Sequence, residues 1–376
     1  MKFVSRVNAG LVKNGAVLAA MAIFAGCPSG GAEDDGASGG TAVTTGGGSV
    51  GSAGGGSNVT SGPGSGGGGG QGGGGTSCVS DGDPFAIGTM QDRLAFLASV
   101  ELAGRAPGTP GDVATRDHIE ARFRCLGLIP GGQGDSYQQP FINDNGAATA
   151  NVVGFIPGSD LASEIIVIGA HHDHLGEENG ELHLGANDNA SGITGLLAIA
   201  QAFQQRGVAP RRTVAFVAFG AEETLTTSPY VEGSAFYVDN APPELPINQT
   251  VYMINLDMIG TYSDEGTVYA MGTFAGTPAR TILDGFLGGY PDLGVDLGEP
   301  PEVGASDFYP FCLAGVPYVF FWTDDYTCYH QPCDTADRID YPHMSQIARV
   351  VLDLGVGLAD SDLDLAAAGQ GLNCGE

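Results

Sequence analysis

The sequence predicts an α/β fold: a mixed, mostly parallel sheet sandwiched between helices. Short apolar runs without polar alternation are the first sign. Ile165-Ile166-Val167-Ile168, within residues 164–169, and the run 213–219 suit strands covered on both faces. Stretches of helical periodicity between such runs are the second. Residues 191–205 place Ile193, Leu196, Leu197, Ala200 and Phe203 on one side, with Gly207 beyond the end. Strands alternating with helices form parallel or mixed sheets with helices on both faces, and in such sheets sites lie where strands end and loops begin.

In chain order, residues 85–103 and 112–126 read as helices. The second has Asp112 near its start, Ile119 and Phe123 four apart, and Gly127 as a stop. The strand at 164–169, the helix at 191–205 and the strand at 213–219 follow. Residues 250–256, 267–271 and 317–321 are further strands; 278–287 and 344–358 are further helices. The chain shows no internal repeat.

The rest of the sequence sorts around this unit. Lys2, Arg6 and Lys13 precede an apolar stretch, Val17 to Ala25, that is short for a membrane span and ends in Phe24-Ala25-Gly26-Cys27. That pattern resembles a bacterial lipobox, with Cys27 as the lipidated residue. An ordinary secretory signal is the other reading, and either exports the protein, to the cell envelope or outer membrane as a lipoprotein or into the medium. Residues 28–77 hold 23 glycines in 50 positions and almost no large apolar side chains, so they cannot offset the entropy of ordering. The expected division is therefore a signal at 1–26, a flexible tether at 27–80 and a catalytic domain at 81–376. Two G-x-S-x-G strings fall in the tether, at 36–40 and 47–51; with no strand before them and no helix after them they do not make a nucleophile elbow.

The chain has 376 residues with 43 Asp+Glu, 14 Lys+Arg and a formal charge of −29. Beyond residue 26 there is no lysine, and 43 acids face 11 arginines, a charge of −32. Lysine-based covalent chemistry is excluded from that part, and a nucleic-acid partner is argued against by the lack of basic clusters. Apart from Cys27 there are six cysteines, an even number that suits disulfides in an exported chain. Cys328 and Cys333, flanking His330, are the first candidate pair. Cys78 and Cys374 could tie the ends of the domain together, and Cys125 could be buried and free.

Five segments at or after strand ends carry chemistry. Gly169-Ala170-His171-His172-Asp173-His174 offers imidazoles, with a carboxylate two residues beyond His171. Gly185-Ala186-Asn187-Asp188-Asn189-Ala190-Ser191-Gly192 leads into a helix; its aspartate suits a cap or a cation. Ala221-Glu222-Glu223 places two carboxylates in a loop. Asn255-Leu256-Asp257-Met258-Ile259-Gly260 sets an acid among apolar neighbours, costly to bury unless paired or metal-bound. The fifth runs Tyr326-Thr327-Cys328-Tyr329-His330-Gln331-Pro332-Cys333-Asp334-Thr335. Each alone has an ordinary explanation. Together they make a mixed N/O donor set suited to zinc, with one glutamate to spare as a base.

Taken together, these segments resemble the M28 family of co-catalytic zinc peptidases over roughly residues 85–360, and Leu102-Ala103-Gly104-Arg105-Ala106-Pro107-Gly108-Thr109-Pro110-Gly111 is similar to the family's opening segment. The resemblance implies a zinc-exopeptidase (phosphorylase/hydrolase-like) fold and two zinc ions sharing an activated hydroxide. His171 and Asp257 would hold one ion, Glu223 and His330 the other, and Asp188 both. Glu222 would be the general base and then acid, Tyr329 a phenol near the oxyanion, and Asp173 an orienting partner of His171. A cis peptide is implied after Asp188. Register with the family selects His171; His172, His174 and His183 would be pocket-wall or surface residues, while His118 and His343 sit on helical segments as non-ligands. Gly304-Ala305-Ser306-Asp307-Phe308 resembles a segment lining the substrate pocket, with Ala305 where some relatives carry arginine. Only about 65 residues lie between Phe85 and Ala150, ahead of the first metal motif, leaving no room for the protease-associated domain many relatives insert.

The implied activity is aminopeptidase action on peptides with a free N-terminus. The expected protein is a monomer, with no nucleic-acid partner and no membrane contact beyond a lipid at Cys27. A single-zinc glutaminyl cyclase, a carboxypeptidase or dipeptidase on the same fold, and a non-catalytic surface binding protein are the alternatives.

Overall fold

Alternate residues of the strand Leu161–His171 go to opposite sides of a sheet, and both sides are buried. Ile166, Ile168 and Ala170 join one apolar cluster, Ile165 and Val167 another. This is why the run reads as continuous apolar sequence rather than as an alternation. The computed structural model describes residues 82–224, 231–262, 266–298, 306–369 and 374. The predicted signal and tether, with Cys27, Cys78, Gly304 and Ala305, lie outside the described residues.

The helices are α1 (Ile87–Leu97), α2 (Pro110–Leu126), α3 (Gly192–Gln205), α4 (Glu232–Asp239), α5 (Pro278–Phe286), α6 (Phe308–Leu313) and α7 (Tyr341–Asp360). The strands are β1 (Ile129–Pro130), β2 (Gln138–Ile142), β3 (Ala148–Ile156), β4 (Leu161–His171), β5 (Gly176–Glu178), β6 (Glu181–His183), β7 (Arg212–Phe219), β8 (Thr250–Leu256), β9 (Val268–Met271), β10 (Val295–Gly298) and β11 (Tyr318–Thr323). Among the described residues nine strands form one sheet in the order β1-β3-β7-β4-β8-β11-β9-β10, with β2 beside β3; β5 and β6 form a separate hairpin. The centre, β7-β4-β8-β11, is parallel throughout. Its flanks join it antiparallel, through β3 on one side and β9 on the other. Helices α1, α2, α3, α5 and α7 cover one face through Leu94, Ile119, Leu196, Leu283 and Ile347; α4 and α6 cover the other through Tyr237, Phe308 and Phe311. Among the described residues no helix is long and apolar enough to cross a membrane.

Three local expectations are corrected. The helix expected over 85–103 ends at Leu97, and a short 3-10 segment, Val100–Arg105, follows with Ala103 and Gly104 at positive φ. Gly104 lies so close to the carbonyl of His183 that a Cβ would sit 2.0 Å from that oxygen, so the chain turns there and only glycine fits. α2 begins not at Asp112 but at Pro110, capped by Thr109, whose hydroxyl accepts the Asp112 amide. Cys374 pairs with Cys312, not Cys78, and Cys125 is disulfide-bonded rather than free. The Cys328–Cys333 pair is formed as expected.

Candidate metal centre

Because β7, β4, β8 and β11 run parallel, their C-terminal ends share one edge of the sheet. His171 is the last residue of β4 and Asp257 the first beyond β8, where its amide still donates to the Phe321 carbonyl of β11. Glu222 and Glu223 lie on the loop after β7, and His330 on the loop after β11. Asp188 sits between the β5–β6 hairpin and α3, in the six-residue turn Ala186–Ser191, and the Asp188–Asn189 peptide is cis.

The five loops bring these side chains into two pairs. His171 Nε2 lies 3.1 Å from Asp257 Oδ1, and His330 Nε2 lies 3.0 Å from Glu223 Oε2. Asp188 stands between them: Oδ1 is 3.4 Å from His171 Nε2 and Oδ2 is 3.3 Å from His330 Nε2. Glu222 Oε2 is 4.0 Å from His171 Nε2. The donor atoms of His171, Asp188 and Glu223 lie within 4.8 Å of one another, and so do those of His171, Glu222 and Asp257. Tyr329 is half exposed, with its ring stacked on His330 at 3.8 Å between centroids.

The charge balance fits cations. Burial pushes the Glu222 carboxyl well above its ordinary range; Glu223, Asp257 and Asp307 push the same way, against His171. Burial likewise raises Asp188 to about 6, with Glu223 adding to it. For Glu223, burial would raise the carboxyl, but His174 and His330 outweigh it and hold it well below its ordinary value. For His330, burial would lower the imidazole, but its bonds to Asp188 and Glu223 hold it at about 11. The fully buried guanidinium of Arg105 donates to four carbonyls, those of Leu97, His172, Leu184 and Gly185, rather than to these acids. Four carboxylates and two imidazoles converging in this way are a donor set for divalent ions of the zinc type.

A layer of hydrogen bonds ties the loops together, and most of it was not assigned from sequence. Asp173 accepts the amides of both Glu222 and Glu223; its carboxylate lies 3.9 Å from His171 Nδ1, which is nearer, at 3.3 Å, to the Asp173 carbonyl. Its grip is therefore on the glutamate loop as much as on the imidazole. Asp334 accepts the amides of Asn187 and Asp188. Asn189 donates to the Leu256 carbonyl and accepts the Gly192 amide, and Ser191 accepts the Ile259 amide, so the Asp188 and Asp257 loops are laced to each other. Ser306 donates to Asp257 Oδ2 and accepts from Asn255. Ser306 and Asp307, expected in a pocket-lining segment, are both fully buried, and burial raises Asp307 to about 7. The sequence signal for these supports is the density of Asn, Ser and Asp around each ligand, which does not say which partner each one takes.

His172, His174 and His183, expected at the pocket wall or surface, are all buried. His172 Nε2 contacts the Ala150 carbonyl, and His174 Nδ1 contacts Glu223 Oε1. His118 packs against the Phe96 ring, and His343 pairs with Asp340 at the start of α7.

The chain is 28% identical over 290 residues to leupeptin-inactivating enzyme 1 of Streptomyces exfoliatus, an alignment covering 70% of this chain and 60% of that protein. It therefore spans less than two thirds of that relative's length. A zinc aminopeptidase of Bacillus subtilis superposes with a TM-score of 0.58 at 16% identity, covering 76% of this chain and 98% of that one. A glutaminyl cyclase of Bacteroides thetaiotaomicron, bound to N-acetylhistamine, gives 0.57 at 19%, covering 72% and 97%. At such identities these two establish the shared fold. The model of peptidase family M28 matches residues 151–355, a span that runs from β3 into α7 and holds all of the converging side chains. With that match over more than half its length, the chain belongs to peptidase family M28.

Proposed function

We propose that the protein is a zinc aminopeptidase that removes N-terminal residues from peptides. The observation that carries this reading is the split of Asp188, one carboxylate oxygen toward the His171–Asp257 pair and the other toward the Glu223–His330 pair. His171 and Asp257 would hold one zinc ion, Glu223 and His330 a second, and Asp188 both. When bound, such ions polarise a carbonyl and acidify a water.

Glu222 is the one carboxylate of the cluster left over from these two sets. Its place beside the His171–Asp257 pair suits a group that takes a proton from the attacking water and hands it to the leaving nitrogen as the C–N bond breaks. Tyr329, on the imidazole of His330, would offer its hydroxyl to the developing oxyanion. The acids attract a peptide's free ammonium group. A terminal carboxylate finds less: Arg105 is committed to carbonyls and Arg338 pairs with Asp325. This supports an aminopeptidase over a carboxypeptidase.

Export belongs to the same proposal, with the tether leading from Cys27. The disulfides at Cys312–Cys374 and Cys328–Cys333 support it, since such bonds persist in oxidising compartments.

The test is a panel of aminoacyl-anilides, with and without chelator, beside N-acetylated controls and a peptide with N-terminal glutamine. Chelator-sensitive hydrolysis of the free-amine substrates alone is expected. One zinc per chain with a pyroglutamate product would move the reading to a cyclase, and no turnover of any substrate by zinc-loaded protein would move it to a binding protein.

A further inference from the structure

Glu223 has two oxygens and two imidazole partners. Oε2 faces His330 at 3.0 Å, while Oε1 lies 2.7 Å from Nδ1 of His174, a residue to which nothing above gives a role. His174 is fully buried. Its Nδ1 is 3.8 Å from Asp188 Oδ2, well outside hydrogen-bond distance, and its Nε2 has no hydrogen-bond partner, so Glu223 is the ring's close polar contact among the described residues. The ring has a shaped seat. A Cβ on Gly185, which lies at φ +62, would come within 2.5 Å of the His174 ring and 2.1 Å of the Asp188 carbonyl. The glycine just ahead of the Asp188 turn thus leaves room for this imidazole.

We infer that His174 is a positioning residue for the second cation: its Nδ1–H donates to Glu223 Oε1 and so aims Oε2 at the ion shared with His330. An ionised carboxylate only accepts, so the contact requires a proton on Nδ1. The same proton excludes Nδ1 from acting as a ligand itself. Asp173 holds the backbone amides of the Glu222–Glu223 loop, and His174, one residue on, holds the side chain; the loop after β4 therefore grips the loop after β7 at two levels. The inference rests on the two-cation reading above.

The full chain, stripped with chelator, is titrated with zinc against a chromophoric competitor. In His174→Ala the first equivalent should bind as in wild type and the second about 10- to 100-fold more weakly, the range found when an outer partner of a ligand is lost. His174→Asn, whose amide nitrogen falls near the place of Nδ1, should restore the second equivalent to within a few-fold. A normal second equivalent in His174→Ala, or His174→Asn as weak as His174→Ala, overturns the inference and leaves the two-cation reading standing. If His174→Ala does not fold by circular dichroism, His174→Asn decides: near-wild-type affinity supports donation, and a tenfold loss refutes it. A wild-type chain that takes up only one zinc overturns the two-cation reading itself, and the inference with it.

Discussion

The two halves of the proposed metal centre are built differently. His171 and Asp257 sit on or one residue beyond parallel strands that are neighbours in the sheet, so the ladder between β4 and β8 sets their spacing. Glu223 and His330 sit on loops. His330 adopts a left-handed φ of 55° inside the Cys328–Cys333 loop, and Glu223 depends on Asp173 and His174. The two imidazoles differ in exposure in the same sense: the His171 side chain is 1% exposed and that of His330 24%. A ligand at a strand end is placed by the sheet, whereas a ligand on a loop must be placed by cross-links and hydrogen bonds of its own.

Three variants test this contrast. Glu222→Gln, at a residue beside the His171–Asp257 half but assigned to neither ligand pair, should lower kcat by about 10³-fold, within the usual range for a positioned acid–base group, while both zinc ions are retained. Kinetics alongside metal analysis checks it, and unchanged turnover would remove Glu222 from the mechanism. Opening the loop half with the double substitution C328S/C333S should weaken the second zinc by up to about 30-fold, the equivalent of about 2 kcal/mol of loop constraint, and leave the first unaltered. Equal weakening of both would erase the distinction between the halves. Ser306→Ala, aimed at the strand half, should weaken the first zinc by about 10-fold, because Asp257 Oδ2 loses its donor. A loss confined to the second zinc would mean that Ser306 serves the wrong half.

The same contrast separates what was legible in the sequence from what was not. β4, β7 and β8 could be read because they are buried on both faces and are therefore apolar at nearly every position. β3 was not read: Ala148–Ile156 contains Asn151, which is fully buried because its amide reaches Gln139 and the Gly233 carbonyl, partners far away in sequence. β2, the β5–β6 hairpin and β10 were too short or too polar to stand out. In the centre, the residue types and their places after strands were enough to nominate the segments, and the family resemblance picked His171 and the other converging side chains out of them. Apart from Asp173, their supports were not nominated. His174 reads as an ordinary polar residue until the fold brings Glu223, 49 positions later, against it. Cys312–Cys374 was missed for the same reason, since cysteine count sets parity and only the fold sets pairing.

The claim on which the rest depends is that Asp188 belongs to both halves at once. It is tested most directly by zinc titration of Asp188→Ala beside the wild-type chain. Wild type should take up two equivalents, and the variant should bind both of them more weakly. A variant that loses one equivalent and keeps the other at full affinity would contradict a shared carboxylate.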